Sequence, residues 1–151
     1  VTMFTQTVSA TDAIQALLET IEVQGVALSV YDYDPGRINA LPAAVISLPE
    51  GRRPDIDDPE EELGYLDLWL DFPVTIYLPL RDPKESQYIA RELVTTVAAA
   101  LDEDFTLGGT ARDCRLTGWT FDLDAQRTSD SLSLIVIFTT VKAHLKVAYS
   151  T

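Results

Sequence analysis

Every even-numbered residue from Leu66 to Leu80 is apolar: Leu66, Leu68, Leu70, Phe72, Val74, Ile76, Leu78 and Leu80. Around and between them stand Tyr65, Asp67, Trp69, Asp71, Pro73, Thr75, Tyr77 and Pro79. Alternation with a period of two places all the even residues on one face of a strand, whereas a helix would scatter them around its circumference. Sixteen residues at about 3.3 Å each stretch roughly 50 Å, against a usual strand of about five or six residues. A single domain of this length has a radius of gyration of about 15 Å. The strand must therefore bend sharply or reach beyond the body of its own subunit. The unbroken register leaves Val74 to Leu80 as the core half. Tyr65 to Phe72, with a kink at Pro73, is the half expected to reach outward.

The remaining sequence supplies one domain over residues 1–151. Ile14, Leu17, Leu18 and Ile21 form an apolar stripe at helical spacing, predicting a first helix over Thr11 to Glu22, capped by Ser9 or Thr11 and closed at Gly25. Val26 to Tyr31 and Leu41 to Leu48 read as strands, separated by an Asp34-Pro35-Gly36 turn. Residues 49–64 carry Asp55, Asp57, Asp58, Glu60, Glu61 and Glu62 with interspersed prolines, an acidic surface loop. Asp82, Pro83 and Glu85 spell an N-cap, a first-turn proline and a capping box. They open a second helix that stacks Ile89, Leu93, Val97 and Leu101 and ends near Glu103. Phe105 to Gly109 reads as a turn. Ala111 to Leu123 and Ser131 to Val147 read as a hairpin joined by Asp124 to Asp130. The order α-β-β-β-α-β-β defines an α+β fold, a mostly antiparallel sheet of about five strands with two helices on one face.

Charge and composition exclude several functions. Eleven basic residues against 24 acidic ones leave a net charge of −13. That is the wrong sign for gripping a nucleic-acid backbone or an anionic membrane. A single cysteine, Cys114, forms no intrachain disulfide and no thiolate cluster, and reads as a buried structural thiol. The start Val-Thr-Met-Phe-Thr-Gln has no signal-peptide pattern, and Met3 is a candidate natural first residue. A soluble, cytoplasmic protein is the expectation. His144 is the only histidine and reads as a surface or edge residue, since catalysis would need a nucleophile and an orienting partner that no motif supplies. Gly108-Gly109-Thr110 lacks the lysine of a phosphate loop and follows a helix where such a loop precedes one. The acidic loop lacks calcium-loop spacing. No catalytic, cofactor or metal residues are assigned. The odd face of the long strand, Tyr65, Asp67, Trp69 and Asp71, has two readings: cross-strand packing, or a subunit or partner interface of the kind rich in Trp and Tyr.

Asp104, Thr106, Leu107, Gly108 and Gly109, placed after the second helix and before the final hairpin, resemble a turn of the tail terminator (tail completion) proteins of long-tailed bacteriophages and gene transfer agents. The N-terminal helix, the Leu41-Pro42-Ala43-Ala44-Val45 strand and the amphipathic strand before a capped helix resemble the same family, across about Ile14 to Val147. The acidic loop departs from it. The resemblance implies a non-enzymatic structural protein of the virion tail, assembled in the host cytoplasm and free of cofactors. It would form a ring, usually a hexamer, that ends growth of the tail tube. Its partners would be further copies of itself, the tail tube protein and the head-tail connector protein. DNA would pass through without specific binding, in keeping with an acidic lumen. Two alternatives stay open: another neck or head-completion joint protein, and a small acidic α+β enzyme or ligand-binding domain using Asp55, Asp58 or His144.

Overall fold

The computed structural model describes the backbone of residues 3–53, 65–126 and 133–148, with side chains for 4–53, 67–123 and 133–147. The acidic run and the centre of the final hairpin loop lie outside these residues. In chain order the elements are α1 (Met3–Glu19), β1 (Glu22–Val23), β2 (Val26–Ala27), β3 (Ser29–Tyr31), β4 (Ala43–Ile46), β5 (Glu50–Arg52), β6 (Tyr65–Pro79), α2 (Pro83–Glu103), β7 (Asp113–Gln126) and β8 (Ser133–Ala148). The α+β class stands as expected, with more strands. A six-stranded mixed sheet has the order β3-β4-β6-β8-β7, with β5 also on β6, and β1 and β2 form a separate ribbon.

The long strand runs unbroken as β6 from Tyr65 to Pro79. β8 pairs with β6 along its whole length, from Tyr65 opposite Ala148 to Pro79 opposite Leu134. On the other side β4 takes the inner half and β5 the outer half. The expected strand over Leu41 to Leu48 shortens to Ala43–Ile46, and the first residues of the expected loop become β5. Pro73 sits at the junction between them. Its carbonyl accepts the Ser47 N–H at 2.9 Å, and with no N–H of its own it returns no bond to Ser47, so the ladder with β4 is interrupted where β4 ends.

The outer half is covered because α1 begins eight residues earlier than Thr11. Ala10, Ile14 and Leu18 stack at four-residue spacing and are buried against a core that includes Leu68, Leu70, Phe72 and the odd-numbered apolar residues of β8. Thr11 caps nothing: its hydroxyl donates back to the Thr7 carbonyl at 2.9 Å, inside the helix. The helix also ends before Gly25. Gln24 and Gly25 both have positive φ, 51° and 80°, the requirement of a tight hairpin turn, and they join β1 to β2. Leu28 then turns into the core and splits the expected strand Val26 to Tyr31 in two.

α2 matches its expected limits and buries Ala90, Leu93, Val94, Val97 and Leu101 on the same side of the sheet as α1. Its capping differs. Asp82 makes no side-chain cap, and Glu85 lies 3.4 Å from the Gln24 amide instead. Ser86 supplies the reciprocal contact, its hydroxyl accepting the Arg81 N–H at 3.1 Å while its N–H donates to the Asp82 carbonyl at 2.8 Å.

Opposite the helices, the inner end of the sheet carries a smaller cluster of Val45, Tyr77, Leu134 and Val136, against which Tyr31, Ile38 and Leu41 pack. Among the described residues, no helix lies over the rest of that outer face.

Candidate subunit interface

Register determines what the uncovered face displays, because directly opposed residues share a side. One row across the sheet reads Arg52, Trp69, His144, Asp113, and the next reads Glu50, Asp71, Lys142, Arg115. Asp67 faces Lys146 in a third. In the first row the rings of Trp69 and His144 stack at 3.9 Å and 8°. The His144 Nε2 lies 2.8 Å from the Asp67 carboxylate, an acceptor to which the ring N–H donates. The Arg52 guanidinium and the Lys142 ammonium stand 6.0 and 5.8 Å from the Trp69 ring centre. That is the outer range of cation–π attraction.

The four residues singled out in the sequence therefore divide. Asp67 and Trp69 form one cluster with His144. Asp71 stands in the neighbouring row, between Glu50 and Lys142. Tyr65 pairs its backbone with Ala148, and its side chain lies outside the described residues. His144 is not at an edge: β8 lies between β6 and β7, and the imidazole, partly exposed on the uncovered face, is held on two sides. No sequence pattern announced this, since the three residues meet only through strand register. Beyond this end, Pro73, Thr75, Thr140 and Phe138 leave an uncharged stretch, with Phe138 exposed.

The Asp104–Gly109 turn is a built joint. The Asp104 carbonyl accepts the Leu107 N–H at 2.9 Å and its carboxylate accepts the Gly108 N–H at 3.0 Å. The Thr106 carbonyl takes the N–H groups of Gly109 and Ala111. Leu107, Gly108 and Gly109 run through three successive positive φ values of 48°, 67° and 95°. Two glycines meet that requirement without strain. Leu107 accepts it and in return buries its side chain in the core.

Cys114 is buried on the helix side of β7, as the sequence suggests. Burial, and after it the Asp113 carboxylate, push its thiol up to about 12. The neighbouring Arg115 bonds Asp113 at 2.9 Å and Asp102 at 3.0 Å, and these contacts hold it more firmly in its charged form. Among the described residues no three side chains of His, Cys, Asp or Glu converge as a metal site, and no helix is long and apolar enough to cross a membrane.

The clearest unassigned surface is apolar. Of the five phenylalanines only Phe72 is buried, and Phe4, Phe105, Phe121 and Phe138 are 42–77% exposed. Trp119 and Leu123 join Phe121 along β7, an edge strand of the sheet. The sequence hid this. Trp119, Phe121 and Leu123 alternate as core-facing residues do, and only strand order reveals that β7 is an edge.

No protein-family model and no curated protein matches the chain. Among solved structures, it is similar to a chain in a structure described as the virion of a native gene transfer agent (GTA) particle. The TM-score is 0.44 at 13% identity, and the match covers 90% of this chain and 93% of that one.

Proposed function

We propose that this chain is a structural subunit of a virion tail that assembles as a ring, caps the tail tube and offers a surface to the head connector. It performs no catalysis in this role. The observation that carries the reading is the outward placement of its large apolar side chains. A chain whose aromatics lie on a sheet edge, on helix ends and on an uncovered sheet face is built to be covered by other chains. The Asp104–Gly109 turn adds support, because the residues that resemble the tail terminator family are those the joint between α2 and β7 requires. The charge of −13 suits a ring whose lumen must let DNA slide.

The test is growth arrest. Purified protein added to polymerising tail tubes should stop elongation and appear as a closed ring at one tube end in electron micrographs. Tubes that elongate at an unchanged rate, with bare ends, would rule the reading out.

A further inference from the structure

We propose that the chain contacts a second copy of itself head to tail, with Tyr33 of one copy entering the groove between α2 and β7 of the next. Asp32 and Asp34 then meet Arg91 at the groove rim. The contact itself stands on this structure, and its closure into a ring rests on the function proposed above.

The two surfaces lie at opposite edges of one sheet. Tyr33 follows the edge strand β3 and is 62% exposed, with Asp32 and Asp34 exposed on either side. It is presented from a fixed base. Tyr31 meets its ring edge-on at 6.1 Å and 83°, and Tyr31 packs on the Val45–Tyr77 cluster. The Gly36 N–H bonds the Asp34 carboxylate at 2.9 Å and closes the turn that follows. A rigid aromatic loses little conformational freedom on docking. Strand addition at this edge is obstructed, because the Gln15 amide already donates to the Val30 carbonyl at 3.2 Å. The protruding side chain is what the edge has to offer.

The groove at the other edge has a volume of about 210 Å³ and is lined by Gln87, Ala90, Arg91, Phe121, Leu123 and Ile135. Its walls are mainly apolar, and Phe121 and Leu123 are each 42% exposed, so a ring inserted between them removes apolar surface from water. Gln87 gives the phenol hydroxyl a hydrogen-bonding partner. Lys84, Gln87 and Arg91 share one helix face by their spacing. Charge selects the occupant. At a net −13 most of one copy repels another, and an aromatic flanked by two carboxylates gains from a basic rim. Because the two surfaces differ, the contact is heterologous, and it closes into a ring when the rotation between copies permits.

The full chain carrying Tyr33→Ser or Arg91→Glu tests this by sedimentation velocity over a dilution series. Both positions are exposed, and each variant should melt like the wild type while associating at least about 30-fold more weakly, the effect of losing an interface hot spot. An equimolar mixture retains one intact groove and one intact Tyr33, so it should form heterodimers and stop there. Adding Asp32→Arg to Arg91→Glu should restore association. Variants that assemble like the wild type overturn the contact and leave the ring reading standing. So does a mixture that stays monomeric while the wild type forms rings. A wild type that associates through these residues without capping tubes keeps the contact and removes the ring. A wild type that is monomeric at every concentration overturns the contact.

Discussion

Leu107, Gly108 and Gly109 show how tightly a single position is constrained. An added Cβ at Gly109 meets no atom within 4 Å, so any penalty there is backbone strain alone at φ +95°. Gly109→Ala should cost about 1–2 kcal/mol in urea unfolding. Gly118 has the same open surroundings without a positive φ, and Gly118→Ala should be neutral or stabilise by up to about 1 kcal/mol. Equal losses at both positions would contradict the strain argument. Cys114 gives a pH prediction. The folded thiol holds its proton to about 12, while the unfolded chain releases it near the ordinary 9.0. Its contribution to stability is therefore full below pH 9 and declines as pH rises from there towards 12. Unfolding free energies measured across pH 8–11 should fall less steeply for Cys114→Ala than for the wild type.

At the scale of elements, α2 was legible because proline, cap and stripe all lie within its own segment. Its limits follow the sequence, yet the bonding that starts it does not. Asp82 and Glu85 spell the motif, but Glu85 turns towards Gln24 and Ser86 bonds the Arg81 N–H. Ser86→Ala should therefore destabilise by about 1 kcal/mol in thermal or urea unfolding, and Glu85→Ala by no more than about 0.5. The reverse ranking would restore the capping box. α1 departs from its expected limits at both ends: it starts at Met3, before the cap-like Ser9 and Thr11, and stops at Glu19. What extends the helix is the surface it lies on: Ala10 has little apolar area to signal burial, and its value lies in letting the helix approach the sheet at β8.

For the whole molecule, the question is how much of the surface belongs to assembly. Trp69 now has a defined place, stacked on His144 with Asp67 behind it. Trp69→Asp should preserve helix content in circular dichroism, since the residue lies on the face away from the helices. It should also lower stability by about 1–2 kcal/mol through loss of the stack and of partial burial. If ring assembly fails as well, while the isolated chain still melts cooperatively, the Tyr65–Asp71 face belongs to an interface. If assembly is normal, that cluster serves its own subunit only. The sequence by itself determined the period-two strand, the limits of the second helix, the Gly-Gly joint and the acidic charge. Each of these depends on local sterics or on composition, which neighbours in the chain already specify. Only the tertiary structure decided that the long strand is paired along its whole length with β8, that His144 meets Trp69, and that β7 forms an edge with its aromatics in the open. Those depend on strand order and register, which pair residues far apart in the chain and leave no mark on the local pattern.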